Sequence, residues 1–309
     1  MATIIKESPV VTLPRAQIAP SLLVQLGTAG VSACVADIFT FPLDTTKVRL
    51  QLQGEGGGNM HSGGVLRTVL SICKQEGPSA LYSGIVPGLQ RQMAFSAIRI
   101  GGYESVKQKY QEISGAKDGF NLMGVRIAAG VTTGTLAILV AQPTDVVKVR
   151  MQAAGNKGQY KGVVDAYTTI ARQEGFKSGL YRGTMPNIAR NCIVNVGETV
   201  VYDAVKDYLI SSNKMKDGIQ CHLLSAVVAG VTATLVASPV DVVKTRFMNS
   251  PAGQYRGAFH CAVRTARTEG LLAFYKGFNA SCMRLVSWNI ALWLTYEQIK
   301  IAVKKHQNS

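Results

Sequence analysis

The sequence predicts an all-α membrane protein of six spans, arranged as three similar units. The first sign is an eight-residue motif that occurs three times: Pro42-Leu43-Asp44-Thr45-Thr46-Lys47-Val48-Arg49, Pro143-Thr144-Asp145-Val146-Val147-Lys148-Val149-Arg150 and Pro239-Val240-Asp241-Val242-Val243-Lys244-Thr245-Arg246. Its prolines stand 101 and 96 residues apart. Self-similarity at such a period means that each unit is one module stacked on its neighbours. The second sign is that every copy ends an apolar run. Residues 22–41 carry one charge, and residues 127–142 and 223–238 carry none. Runs near this length can cross a hydrocarbon core. The third sign is a second, less apolar helix in each unit. It closes on Tyr103-Glu104-Ser105-Val106-Lys107, Tyr202-Asp203-Ala204-Val205-Lys206 and Tyr296-Glu297-Gln298-Ile299-Lys300.

Taken in order, an N-terminal segment (1–19) without the apolar core of a secretory signal precedes repeats at 20–115, 120–212 and 219–305. In each repeat the apolar helix meets its proline, which costs a helical hydrogen bond. The motif aspartate and lysine, three apart, share a helix face. Short amphipathic segments follow at 66–75, 163–173 and 258–268, each stopped by Glu-Gly at residues 76–77, 174–175 and 269–270. An aromatic-x-Gly then opens the second helix, expected at about 85–109, 184–209 and 278–304. Repeat two has one extra residue between Gly175 and Tyr181, so its short helix must shift or bulge. Two helices per repeat place both termini on one side.

Composition narrows the function. A formal charge of +15 suits a polyanion binder, but the bases are spread along the repeats and aromatics make up only 7%. No nucleic-acid or phosphate-loop pattern is present, so a basic membrane protein facing anionic lipid and anionic solutes is the better reading. The six cysteines form no C-x-x-C pair and read as free thiols. His61, His222, His260 and His306 are scattered, and no nucleophile or metal constellation points to an enzyme.

The second helices carry the chemistry. Twelve residues before each motif tyrosine stand Arg91, Arg190 and Arg284, about 18 Å inside it along a helix. A charge at that depth normally faces a water-filled path, and three guanidiniums around one axis make an anion site. Specificity should lie where the threefold pattern breaks. One such set is Arg99, Glu198 and Leu292; another is Asp37, Ile138 and Thr234. Asp37, a lone carboxylate in an apolar helix, favours its protonated form and so can carry a proton.

The triple P-x-D-x-x-K-x-R, the E-G pairs with their aromatic-x-Gly, and the Tyr-acid-x-x-Lys endings resemble the mitochondrial carrier family over about residues 20–305. Within it, Gly88-Leu89-Gln90-Arg91-Gln92 and Ser287-Trp288-Asn289 are similar to the animal uncoupling type. The resemblance implies a pseudo-threefold barrel of six transmembrane helices with three short matrix helices, the termini in the intermembrane space. It implies a matrix gate of Asp44, Asp145 and Asp241 paired with Lys148, Lys244 and Lys47, braced by Gln51 and Gln152 but not by Met248. It implies a cytoplasmic gate of Glu104, Asp203 and Glu297 paired with Lys206, Lys300 and Lys107, with Tyr103, Tyr202 and Tyr296 beside them.

By the same resemblance, Asp37 serves fatty-acid-dependent proton transfer. Arg91, Arg190, Arg284, Arg99, Asn195 and Trp288 hold a purine nucleotide, and Glu198 senses pH. The implied activity is a fatty-acid-activated, nucleotide-inhibited proton leak in the mitochondrial inner membrane. The alternative is exchange of small anions such as C4 dicarboxylates or phosphate. No cofactor is implied, cardiolipin is the bound lipid, and a monomer is expected. Ser83 stands where the family has a base, which weakens one cardiolipin contact.

Overall fold

The computed structural model describes residues 22–54, 64–115, 120–155, 159–212, 218–251 and 253–307. The N-terminal segment 1–19 lies outside them, as does the side chain of Lys300. Nine α-helices are seen among the described residues: α1 (Leu22–Gln51), α2 (Val65–Glu76), α3 (Ile85–Ser114), α4 (Phe120–Ala154), α5 (Val163–Glu174), α6 (Thr184–Ser211), α7 (Ile219–Asn249), α8 (Ala258–Glu269) and α9 (Phe278–Gln307). Six are long, and three are twelve-residue connectors within a repeat.

The apolar helices do not stop at their prolines. Pro42, Pro143 and Pro239 lie inside α1, α4 and α7, which carry the whole charged motif on continuous helix. That continuity points the motif aspartate and lysine in fixed directions. The closest packing is between repeats: α3 on α4, α6 on α7, and α9 back on α1. Within repeats α1 meets α3, α4 meets α6 and α7 meets α9, so the six long helices form a closed ring. Small buried residues such as Ala36, Ala129 and Ala233 let the backbones approach.

Among the described residues, hydropathy alone finds two helices able to cross a bilayer, over Leu122–Ala154 and Gln220–Asn249. The first of the three expected runs, residues 22–41 of α1, begins in residues 22–29, whose side chains lie outside the described residues. Asp37 and the polar residues around it, Ser32, Thr40 and Asp44, are buried on its inner side. A helix that gives one face to a polar interior needs apolar residues only on the other.

Each short helix buries equivalent positions one turn apart: Thr68 and Ile72, Ala166 and Ile170, Cys261 and Thr265. The turn after it is a tight 3-10 type at Pro78–Tyr82 and Leu271–Tyr275 but a wider π type at Phe176–Leu180. The extra residue of repeat two is taken up there, leaving α5 the same length as its counterparts. Single-residue insertions commonly widen a helical turn in this way.

Gly84, Gly183 and Gly277 then open the second helices with φ of +83°, +81° and +84°. A Cβ on Gly84 would lie 3.1 Å from the Lys148 carbonyl, and one on Gly277 3.2 Å from that of Lys47. Gly84 and Gly277 seat their second helices against the next repeat at its motif lysine, and Gly183 seats its own against Met248. Gly84→Ala is predicted to lower stability by roughly 1–2 kcal/mol from the left-handed backbone alone, plus the shift at Lys148. Thermal unfolding of the detergent-purified protein measures this, and an unchanged midpoint contradicts it.

Candidate functional site

The three motif copies converge where the long helices meet the short ones. Lys47 Nζ lies 2.8 Å from Asp241 Oδ2, Lys244 Nζ 3.4 Å from Asp145 Oδ2, and Lys148 pairs with Asp44. The arginine triplet joins the same cluster. Arg190 Nε donates to Asp241 Oδ1 at 2.9 Å, and Arg91 pairs with Asp145. Arg284 Nε sits 2.8 Å from Asp44 Oδ1 but off its N–H line, an electrostatic contact rather than an aligned hydrogen bond. Each aspartate thus takes a lysine from one neighbouring repeat and an arginine from the other. The sequence suggested an anion site set apart from the lysine–aspartate pairs; the structure makes one ring of both. Arginine's long side chain lets it reach the carboxylates from the second helices.

Three carboxylates and six cations line a cavity of about 110 Å³, which leaves three positive charges in excess. Below the ring, Gln152 Nε2 donates to Asp44 Oδ2 at 3.2 Å and to Thr45 Oγ1 at 3.3 Å. Gln51 Oε1 accepts from Thr245 Oγ1 at 2.8 Å. At the third position Met248 is fully buried against Val48, Val146 and Val149, an apolar plug where the other repeats have amides. Asn187 Nδ2 bonds both Gln142 Oε1 and Asp145 Oδ2. The motif spacing gives no hint of Asn187, because repeats one and three have no asparagine at that position.

A second ring surrounds the first. Arg49, Arg150 and Arg246 each grip, through both terminal nitrogens, the glutamate that ends their own short helix: Glu76, Glu174 and Glu269, at 2.5–2.9 Å. Their Nε atoms donate to the carbonyls of Gln152, Met248 and Gln51 in the following repeat, at 2.9–3.0 Å. The signal for this ring was in the sequence: a second base and a Glu-Gly recur in every repeat. What the sequence lacked was the fold that brings them together.

The tyrosine-motif ends are arranged differently. Lys107 binds Glu104 of its own helix at 3.2 Å and does not take Glu297 as expected. Tyr202 Oη shares a 2.5 Å hydrogen bond with His222 Nδ1, and the Tyr296 ring meets Trp293 edge-on. The cross-repeat pairing expected here for Glu104 is therefore replaced by a bond along one helix. The exposed i,i+3 geometry makes that bond weak. Lys206 and Asp203 sit on α6 and Lys300 on α9, the last with its side chain outside the described residues.

Asp37 is not the lone carboxylate its surroundings in the sequence suggested. Trp288 Nε1 donates to Asp37 Oδ1 at 2.8 Å, and Arg284 Nη2 lies 3.8 Å away. Both partners come from α9, 251 and 247 residues on, which an apolar local sequence cannot reveal. Arg99 Nη2 donates to Asn195 Oδ1 at 2.8 Å rather than pairing directly with Glu198. Glu198 faces a cavity of about 270 Å³ with Arg99 and Asn195.

A closed ring of six long helices in three repeats, with an over-charged ion-pair cluster at one end, defines a membrane carrier. The sequence pattern of the mitochondrial carrier protein family matches residues 19–114, 122–213 and 216–307. The putative mitochondrial transporter UCP3 of Rattus norvegicus is 51% identical over 96% of this chain and 97% of its own length. That of Bos taurus is 52% identical over 93% and 94%. The dicarboxylate carrier UCP2 of Danio rerio is 51% identical over 92% and 93%. The chain belongs to the mitochondrial carrier family. It is a transporter of the mitochondrial inner membrane and not an enzyme.

The outer ring makes a prediction with a sign. Burial raises the Glu269 carboxyl, but hydrogen bonds and charge from Arg246 and Lys276 outweigh it and hold the group below its ordinary value. Its stabilisation is therefore present at neutral pH and is lost as pH falls from about 4.3 toward the lowered value. Glu269→Gln should cost about 1.5–3 kcal/mol at pH 7, and the gap from wild type should close in acid. Thermal unfolding at pH 7 and below pH 4 tests it; a gap that does not depend on pH refutes the assignment.

Proposed function

We propose that this six-span carrier moves small dianions, C4 dicarboxylates or phosphate, by binding them at the Asp–Lys–Arg ring. The observation that carries this is the excess of three positive charges around a cavity of about 110 Å³. In a poorly solvated interior such an excess repels itself and attracts anions strongly. A dianion that takes two arginines leaves their aspartates with one lysine each, so substrate binding loosens the ring that closes the barrel. Alternating access then needs a second closure at the other end, by Glu104, Asp203 and Glu297 with Lys206, Lys300 and Lys107 and the three motif tyrosines. Solute affinity has to exceed the ring's hold by only a few kcal/mol. The name of the Danio rerio relative, a dicarboxylate carrier, agrees with this reading.

A second reading has its own support. A fatty-acid-activated, purine-nucleotide-inhibited proton leak draws on Asp37, held beside Arg284 by Trp288, and on Arg99, Asn195 and Glu198 above the ring. Here Asp37 has to exchange its tryptophan bond for a proton, and Glu198 sets the pH response to the nucleotide. For the protein's surroundings we assign cardiolipin to the groove of about 710 Å³ where α2 begins beside α9, lined by Val65, Leu66, Arg67 and Met283. The carrier works as a monomer around its own cavity, its termini in the intermembrane space and its short helices on the matrix side.

In liposomes, counter-exchange of labelled malate or phosphate is predicted for the wild type. Arg190→Ala should cut it at least about thirtyfold, since breaking a desolvated charge pair costs about 2 kcal/mol or more. Exchange unaffected by that change removes the ring as the binding site. For the second reading the measurement is proton flux with fatty acid. Flux that GDP suppresses and Asp37→Asn abolishes supports it; flux indifferent to both removes it.

A further inference from the structure

Arg126 on α4 belongs to no motif, yet it faces the interior. It lies nineteen residues before Asp145, and the same offset reaches Gln25 in repeat one and His222 in repeat three. His222 is bonded to Tyr202, so Arg126 sits at the level of the equivalent Tyr103, beside which it lines the 270 Å³ cavity. Only repeat two places a permanent cation there. Arg126, Glu198 and Thr199 also line a second cavity of about 440 Å³, reaching Tyr202 and Asp203. The two spaces meet at these three side chains. Among the described residues Arg126 is exposed and takes no ion pair or hydrogen bond, whereas every cation of the ring below is tied to an aspartate.

The positive groups are thus stacked in depth. Arg99 stands eight residues beyond Arg91 on α3, about 12 Å along the axis, and Tyr103 about 18 Å. Small dianions are too short to span from the upper group to the ring, so they meet the two in turn. A free guanidinium at the entrance raises the local anion concentration and the rate of encounter. Glu198, which lines the same cavity as the two arginines, opposes the attraction and keeps the upper site weak enough to release its guest.

We propose that Arg126, with Arg99 across the cavity, is a staging site that holds one carboxylate or phosphate group of the incoming dianion before it reaches the aspartate ring. This rests on the reading of the chain as an anion carrier. The test is labelled-phosphate counter-exchange in liposomes, with initial rates against phosphate concentration for wild type, Arg126→Gln and Arg126→Lys. Arg126→Gln is expected to raise KM about five- to tenfold with kcat within about twofold, as loss of one ordinary hydrogen bond at an exposed side chain implies. Arg126→Lys should restore KM, and the difference should fade at high salt. An unchanged KM, a loss confined to kcat, or a lysine variant as poor as glutamine overturns the proposal.

If the wild type exchanges neither phosphate nor malate, the carrier reading fails on its own. The staging site is then decided by thermal shift of the purified protein in phosphate. It stands if Arg126→Gln raises the phosphate concentration needed for half the shift by threefold or more, and falls if the curves coincide.

Discussion

Everything in this fold depends on three buried carboxylates, each shared between cations from the two repeats that do not own it. Asp44 holds Lys148 and Arg284, Asp145 holds Lys244 and Arg91, and Asp241 holds Lys47 and Arg190. No repeat can complete its own pair, so closure is a property of all three together. Removing one partner of a buried pair leaves a stranded charge, which is far more costly than losing a surface bridge. The ring is nevertheless over-supplied with cations. It holds together through three aspartates against the mutual repulsion of six bases.

The symmetry is broken most where repeat two meets its neighbours. Arg182 donates to the Phe247 carbonyl and to Ser250 of repeat three, with its guanidinium 4.6 Å from the Phe247 ring centroid. Lys276 likewise reaches the Gln53 carbonyl of repeat one. Ser83 occupies the same place in repeat one and has neither the length nor the charge to do so. The seam between repeats one and two relies instead on Gln152, and the seam between two and three on buried Met248. Asn187, Asn191 and Asn195 line one face of α6, joining Asp145 at the ring to Arg99 above it. The three interfaces are therefore held by different chemistry, and they need not yield to the same stress.

Much of this was legible before any coordinates. Three motif copies with one period gave the repeats, and the Glu-Gly and aromatic-x-Gly signals placed each short helix to within two residues of its observed ends. The pairs between Asp44, Asp145, Asp241 and Lys148, Lys244, Lys47 came from the family resemblance, because spacing within one helix says nothing about which repeat lies opposite. Partners brought from 251 residues away, such as Trp288 for Asp37, were beyond local reading. So was the descent of Arg91, Arg190 and Arg284 onto the aspartates: a rise per residue fixes a depth for Cα but not where a six-bond side chain ends.

The two rings differ in how they divide between rigid and moving parts. In the outer ring, the bidentate Arg–Glu pairs (Arg49–Glu76, Arg150–Glu174, Arg246–Glu269) stay within one repeat. Their Nε bonds to the Gln152, Met248 and Gln51 carbonyls cross to the next repeat, as do those from Arg150 Nη2 to the Ser250 carbonyl and from Arg246 Nη2 to the Gln53 carbonyl. In the inner ring every ion pair crosses. Any separation of the repeats must break all six inner pairs and these five carbonyl bonds, while the three Arg–Glu clamps can persist. Each clamp ties a short helix to the end of its own first helix. Each left-handed glycine seats a second helix on the neighbouring repeat, where only backbone and side-chain contacts have to slide. Bonds retained through a motion set the rigid body, and bonds lost set its energy. The retained clamps thus tie each first helix to its short helix as one rigid piece, and the charged ring is what a separation of the repeats has to break.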